Sequence, residues 1–548
     1  MKDTIGTILK DMYIISEEQI EAALHVQKAT NMAFGEILVD LNFIATDELA
    51  RAIAIQTSLE YIDLDGYVPA PEALKLIDEE FAMINMVIPL KIQDNTLVVA
   101  TSWPNNKDIK DYLQEKTGCT IQFLVSDYNV IAKYLQFYYV KLENSIEELI
   151  EFYLTNGETD VILLLDLIIK YAIKDRTTDI HITPGKFTSH IFFRIDGIRK
   201  HSYSIGMDLY HQLVIRIKVL GKLDVMQHLL PQDGDFEFEF PGENYNVRVA
   251  TIPTQYGEKI ALRLMPKNFR IYDLKYLGFE SDIVQKISQS LQKTSGIIIV
   301  TGSSGSGKTT SLYAMLRKID ILKRNVITVE DPVEHPLPFV DQVQVNTRKN
   351  YTFNNMLKHI ARQDPDVIVI GEILDEDTAK LAIRNSATGH LILSTLSSSS
   401  VITAISRLKD LGVNKYLLAE GLLGIISQKL IRRLCNECKK EIEISKHELI
   451  EYFTESKTSI LSLPHEKIKV FEPVGCKHCM NSGYVGRICI AEFLQIDDEI
   501  RDMIEHDKNT IDIKDYIYSN GYNNIKSDAL KKVLEGISSL EEVQRVIH

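Results

Sequence analysis

The sequence predicts an α/β protein centred on a doubly wound, largely parallel sheet, and three observations predict it. First, GIIIVTGSSGSGKTTSLYAML runs from a short apolar strand, Ile297 to Val300, through a glycine-rich turn into a helical pattern opened by Lys308. Second, NVITVEDPVEH and DPDVIVIGEI read as two more strands ending in acids, Glu330 and Asp331 in one and Glu372 in the other. Third, these strands alternate with helical patterns. Strands joined by helices run parallel and gather ligand groups at their carboxyl ends.

Around that centre, 548 residues leave room for three or four domains at about 150 residues each. A composition of 45% hydrophobic and 25% charged residues is that of a chain with buried cores. Acidic residues outnumber basic ones 76 to 61, for a formal charge of −15, which argues against nucleic acid as a partner. No apolar run approaches the ~18 residues of a membrane span, and VILLLDLII is broken by Asp166. The opening MKDTIGTILKD lacks the apolar core and cleavage site of a signal peptide. A soluble, cytoplasmic, multidomain protein is the expectation.

The chain begins with a tandem repeat. TIGTILKDMYIISEEQIEAALHVQ lies over AFGEILVDLNFIATDELARAIAIQ, so that Gly6 matches Gly35, Ile15 matches Ile44, and Gln27 matches Gln56. Each copy reads as a short apolar helix, a turn, a Ser/Thr/Asp start signal and an amphipathic helix. Two copies can bury each other's apolar faces, which predicts a helical domain over 1–62. A small α/β domain over 63–142 follows, in which IPLKIQDNTLVVATSWP is a strand-turn-strand with Asn95 in the turn. Residues 143–160, acidic and apolar by turns, read as a linker helix.

The glycine-rich turn is a P-loop. Gly302, Ser303, Ser304, Gly305, Ser306, Gly307, Lys308, Thr309 and Thr310 stand between a strand and a helix, the context that gives the motif its meaning. Glycines let backbone N–H groups curl around phosphate oxygens, and the helix N-terminus adds a favourable dipole. Lys308 reaches the β/γ-phosphates of ATP, and the Thr309 hydroxyl can ligate Mg²⁺. The strand-end acids Glu330 and Glu372 can coordinate Mg²⁺ or orient an attacking water.

Four of the six cysteines form Cys435-x-x-Cys438 and Cys476-x-x-Cys479. Paired knuckles of this kind supply four thiolates to a tetrahedral structural Zn²⁺. The stretch 439–475 exceeds the commonest spacing, so a helical insertion is expected between them. Disulfides are the alternative, disfavoured in a reducing cytoplasm. Cys119 and Cys489 sit in apolar contexts and read as core residues.

Taken together, Gly302–Thr310, TVEDPVEH, RQDPDVIVIGE and TGHLILSTL resemble the Walker A, Asp, Walker B and His boxes of the type II/type IV secretion ATPase superfamily. Upstream, DIHITP, RIDGI, LPQDG and GEKIALRLM resemble the domain that precedes the motor in that family. The resemblance implies a RecA-like P-loop ATPase core over 271–548, carrying the zinc element at about 430–490 and C-terminal helices. It also implies a preceding α+β domain over 161–270 that supplies arginines. Mg-ATP hydrolysis by a homohexamer is the implied activity. Glu330 then corresponds to the water-activating glutamate, Glu372 to the Walker B acid and His390 to the first histidine of the His box. RRLCNECKK and GCKHCMNSGYVGR resemble the metal element of pilus assembly and secretion ATPases, which retraction ATPases typically lack. A type IV pilus assembly ATPase is therefore expected, with a type II secretion ATPase as the alternative. Its partner would be a platform protein of the inner membrane, through which it associates with the inner face of the cell membrane.

Several positions depart from the family pattern. HLILSTLSSSS, His390 to Ser400, places Ser397 where a second histidine is usual, and Leu374 takes the place of an arginine. Phe192, Leu229 and Asp235 also stand where basic residues are usual. Arg194, Arg248 and Arg263, together with Arg348 and Arg362, remain to meet ATP across a subunit boundary. An arginine finger is worth about 10³–10⁵ in rate, so low turnover is expected, and a weakly hydrolysing nucleotide-binding scaffold is a second alternative. The tandem repeat resembles the N-terminal module of this family, some members of which bind cyclic-di-GMP there. Those generally open each repeat with Arg-Leu-Gly. Here the openings are Thr4-Ile5-Gly6 and Ala33-Phe34-Gly35, which argues for docking a cytoplasmic adaptor of the pilus complex over binding the dinucleotide.

Overall fold

The computed structural model describes residues 4–30, 32–64, 67–139, 160–240, 243–266, 273–346, 349–453, 460–461 and 463–547. The linker expected over 143–160 lies outside them except for Asp160, and so does Arg348. Two compact units make up the chain: Met1–Ser16 with Ile44–Arg270, and Glu17–Phe43 with Ile271–His548.

The tandem repeat folds as four helices, Ile5–Asp11, Glu17–Thr30, Phe34–Asp40 and Thr46–Thr57. The Thr4 hydroxyl caps the first by accepting from the Thr7 N–H. Glu48 reaches back to the Ala45 N–H at 2.7 Å to close the start of the fourth. The first helix packs on the fourth, and the second on the third. The repeated positions Gly6, Gly35, Ile15 and Ile44 are all buried, while the matched Gln27 and Gln56 are only partly so.

Strands β1 (Val87–Gln93), β2 (Thr96–Thr101) and β3 (Thr120–Val125) form the next sheet, β1 antiparallel to β2 and β2 parallel to β3. Asp94 and Asn95 both lie in the left-handed region, with φ 47° and 61°. A two-residue hairpin turn demands this, and Asn and Asp tolerate it best among non-glycine residues.

In the remainder of the first unit, the Asp160 carboxylate caps the helix Val161–Lys174. Six strands follow: β4 (Thr177–Pro184), β5 (Thr188–Ile195), β6 (Ile198–Gly206), β7 (Gln232–Phe240), β8 (Glu243–Thr254) and β9 (Gly257–Pro266). They pair antiparallel in the order β6-β5-β4-β9-β8-β7. Ile168, Phe193, Leu213, Val247 and Ile260 belong to the core between one face of this sheet and its helices Val161–Lys174 and Met207–Leu220. In that core Lys218 is fully buried, its Nζ 2.7 Å from a carboxylate oxygen of Glu258, itself only 4% exposed. Lys218 also donates to the Gln227 carbonyl, and His228 Nδ1 lies 2.7 Å from the other Glu258 oxygen. These contacts pin the segment leading to Leu229, whose side chain stands out into solvent.

The second unit is built on a seven-stranded sheet. Its strands are β10 (Gly296–Thr301), β11 (Val326–Glu330), β12 (Asp341–Gln344), β13 (Val367–Ile370), β14 (Leu391–Leu396), β15 (Leu422–Leu434) and β18 (Tyr484–Gln495). Two more, β16 (Lys440–Ser445) and β17 (Lys467–Glu472), form a separate ribbon. The order is β12-β11-β13-β14-β10-β15-β18, parallel throughout except for the antiparallel edge pair β15 and β18. Every residue of β10, β11, β13 and β14 is buried. That is why these segments read as continuous apolar runs rather than alternating ones. The insertion between the cysteine pairs was expected to be helical. Among the described residues it combines the helix Lys446–Tyr452 with the β16–β17 ribbon, at whose first strand's end the helix begins. The alternating pattern of KEIEIS, which packs Ile442 and Ile444 inward, accounts for the difference.

Removing one member of a buried ion pair strands the other's charge, at a cost of about 3–5 kcal/mol. Glu258→Ala should therefore lower the thermal unfolding midpoint sharply. The double change Lys218→Met, Glu258→Leu should recover most of the loss, as read by calorimetry.

Candidate nucleotide site and cysteine centre

The parallel register assembles the site. In the β10–β14 pair Thr301 stands opposite Leu396, and in the β10–β15 pair it stands opposite Ser427. On the far side Val329 stands opposite Ile370, and Ile370 opposite Ser394. The P-loop, Glu330, Glu372 and the serine run thus leave the same edge of the sheet. The Thr301 hydroxyl donates to the carbonyls of Leu396 and Ser398 at 2.9 Å, tying the start of the P-loop to the serine segment.

The P-loop turns into the helix Lys308–Leu316 at Gly307, whose φ of 86° suits glycine. At Gly302 a side chain has no room, because a Cβ would lie 2.6 Å from the Gln428 carbonyl oxygen. Gln428, on β15, donates from Nε2 to the Ser306 carbonyl at 2.7 Å and braces the loop from below. Lys308 Nζ donates to the Gly302 carbonyl at 3.0 Å and lies 3.5 Å from that of Ser303. Ser303, Ser304 and Gly305 are exposed, while Thr309 and Thr310 are partly so. An anion arriving here meets the helix N-terminus, the loop amides and one lysine charge.

Glu330 ends β11 and is 4% exposed. Its Oε2 accepts from the Tyr313 hydroxyl at 2.6 Å. Its Oε1 accepts from Thr328 Oγ1 at 2.7 Å and from Gln342 Nε2 at 2.9 Å. Burial, and then the bond to Glu330, push the Tyr313 hydroxyl far above the ordinary phenol value, so it stays protonated and donating. Glu372 follows β13 and is half-buried, and its Oε1 accepts from Ser397 Oγ at 2.5 Å. The residue that replaces the usual histidine therefore grips the second acid directly. Leu374, by contrast, is exposed.

His390 is not brought to this edge within the chain. It precedes β14, its carbonyl accepts from the N–H of Gly296 at the start of β10, and its Nδ1 lies 3.2 Å from the Asn385 carbonyl. A six-residue strand at about 3.3 Å per residue separates it from the P-loop end by roughly 20 Å. Within one subunit His390 thus stands at the opposite end of β14 from the P-loop.

Arg194, Arg248 and Arg263 belong to the first unit, the P-loop and Arg362 to the second. Arg199, Arg194, Asp179, Arg263, Arg248 and Asp235 are successive cross-strand partners from β6 to β7, and so share one face of the six-stranded sheet. Arg263 Nε donates to Asp179 at 2.9 Å, and Arg194 Nε lies 3.8 Å from the same carboxylate. Burial pushes the Asp179 carboxyl up, but the hydrogen bonds from Arg263 and Thr178 outweigh it and hold it below the usual carboxylate range. Asp235 and Phe192, two of the departures, are accommodated in the same sheet: Asp235 stands opposite Arg248, and the Arg199 guanidinium lies 3.6 Å over the Phe192 ring.

Cys435, Cys438, Cys476 and Cys479 converge, with all four sulfurs within 4.8 Å of one another. Three of the pairs are 3.7, 3.8 and 3.9 Å apart. Tetrahedral thiolates at a Zn–S distance of about 2.3 Å would be roughly 3.8 Å apart, whereas a disulfide needs about 2.05 Å. Backbone N–H groups of Gly475, Cys476 and Gly483 point at Cys438 and Cys479 sulfurs at 3.1–3.3 Å. For Cys479, burial raises the thiol, but the Cys476 and Gly483 amides outweigh it and bring it down to about 7. The donor set fits a closed four-thiolate metal centre. Cys489 is buried apart from it, and Cys119 is partly buried.

Four residues of the nucleotide edge escaped the sequence reading: Tyr313, Thr328, Gln342 and Gln428. The available signal was a polar residue inside an otherwise apolar element, such as Ser427-Gln428 in LLGIISQKL.

A parallel sheet whose P-loop strand is separated from the acid-bearing β13 by an added strand, β14, defines a RecA-like P-loop ATPase. The chain belongs to the type II/IV secretion system protein family, whose profile matches residues 155–545, and a MshEN domain profile matches residues 57–145. It is 31% identical to the type IV pilus assembly ATPase PilB of Myxococcus xanthus, over 99% of this chain and 98% of that protein. It is 40% identical to the type II secretion system protein E of Dickeya dadantii, over 72% of this chain and 77% of that one. Among solved structures, the Legionella pneumophila ATPase DotB matches with a TM-score of 0.52 at 19% identity, covering 72% of this chain and 97% of that one, a likeness of fold. Among the described residues no helix is long and apolar enough to cross a membrane.

Because a Cβ at position 302 would collide with backbone, Gly302→Ala should cost at least tenfold in ATP affinity while leaving the fold intact. Titration with a fluorescent ATP analogue, beside a circular dichroism spectrum, checks this.

Proposed function

We propose that this chain is the ATP-hydrolysing motor of a type IV pilus assembly machine. It would work as a homohexamer on an inner-membrane platform protein, with its N-terminal helices docking a cytoplasmic adaptor. The observation that carries the reading is the one edge shared by the P-loop, Glu372 and Glu330, in a chain that is similar along almost its whole length to a pilus assembly ATPase. A type II secretion motor is the second reading, favoured by the higher identity over the ATPase portion.

Lys308 and the loop amides would bind the β/γ-phosphates, and Thr309 with Glu372 would hold Mg²⁺, whose charge offsets that of the phosphates. Glu330 would take the proton of the attacking water. Arg194, Arg248 and Arg263 would meet the nucleotide of a neighbouring subunit. With both acids and Lys308 present, turnover is favoured over a passive scaffold, though at a rate limited by the substitutions at Ser397 and Leu374.

Lys308→Ala should abolish Mg-ATP binding, while Glu330→Gln should keep binding and lose at least a hundredfold in turnover. A steady-state ATPase assay with parallel binding titration tests both, and wild-type turnover by Glu330→Gln would sink the assignment of the base. The cysteine centre should carry one zinc per chain in a structural role. Elemental analysis of protein purified without chelators should find it, and Cys435→Ser should lose the metal while leaving nucleotide affinity nearly unchanged.

A further inference from the structure

We propose that Tyr313 is a positioning residue that ties Glu330 to the P-loop helix. The inference rests on the reading of Glu330 as the base. Thr328, on the same strand as Glu330, and Gln342, on the edge strand β12, both donate to Oε1. A carboxylate oxygen has two lone pairs, so Oε1 is saturated by groups of the sheet itself. Tyr313 alone among the described residues donates to Oε2, at 2.6 Å, and it stands on the helix that Lys308 opens. The second lone pair on Oε2 is the one left to accept the proton of the attacking water, and the Tyr313 hydroxyl sets where it points.

Both partners are buried, Tyr313 at 1% and Glu330 at 4% exposure. In that setting a hydrogen bond to a carboxylate is strong and its geometry well defined. The Tyr313 ring meets the His335 ring edge to face at 6.2 Å, which limits its freedom to turn. A shift of the P-loop helix on nucleotide binding is therefore passed to Oε2 through one rigid aromatic side chain, while Oε1 stays fixed to the sheet.

Tyr313→Phe keeps the ring that fills the core and deletes only the donor. In the full-length protein it should lower kcat about tenfold, with KM for ATP and nucleotide affinity within twofold of wild type. Thr328→Val, which removes a donor from Oε1 without touching the helix or His335, should lower kcat by less than threefold. Turnover by Tyr313→Phe within twofold of wild type would overturn the proposal. So would equal losses in the two variants, or a rise in KM matching the fall in kcat, since either would mark general structural support. An inactive Glu330→Gln beside a fully active Tyr313→Phe would retain the base and reject only its positioning. A fully active Glu330→Gln would reject the base itself.

Discussion

The rest of the second unit depends on the parallel pairing of β10 with β14 on one side and β15 on the other. Parallel pairing brings all carboxyl ends to one edge, so a chain that leaves β10 as a phosphate loop finds the ends of β13 and β14 beside it. Pairing also demands that the strands be buried on both faces, which the near-continuous Ile, Val and Leu runs satisfy. Polar side chains admitted into this layer each have a task. The Thr301 and Ser394 hydroxyls donate to backbone carbonyls near the edge, and Gln428 supports the P-loop from the neighbouring strand.

The two acids are held by different means. Glu330 is buried and saturated on one oxygen by the sheet, an arrangement that fixes a carboxylate with little freedom to reorient. Glu372 lies past the end of its strand, more open, and is gripped by a single short hydroxyl contact from Ser397. A neutral hydroxyl can hold a carboxylate but cannot bring positive charge to a phosphate as an imidazolium can. Ser397 thus holds the acid in place without bringing a cation to it. The charged row on the six-stranded sheet ends in Asp235 opposite Arg248, and arginines stand on either side of Asp179 in the same row.

Most of the edge was legible in the sequence because backbone chemistry dictates it. A glycine-rich turn between an apolar strand and a helix, and apolar strands ending in Glu, have few other uses, and paired cysteine knuckles announce their own geometry. The side-chain partners Tyr313, Gln342 and Gln428 were not legible, because their roles come from contacts with other elements of the fold. The β16–β17 ribbon was hidden behind an expectation of helix, although its alternation of charged and apolar residues carried the period of a strand.

The central claim is that the edge built by this register is where nucleotide is bound and turned over. A structure of the full-length protein with Mg²⁺ and a non-hydrolysable ATP analogue tests it most directly. The account predicts the β- and γ-phosphates cradled by the amides of residues 302–309. Lys308 Nζ should have moved from the Gly302 carbonyl onto phosphate oxygen, and Glu372 should face the metal side. Phosphates bound elsewhere, or Lys308 still engaged with Gly302 in the nucleotide-filled protein, would contradict it.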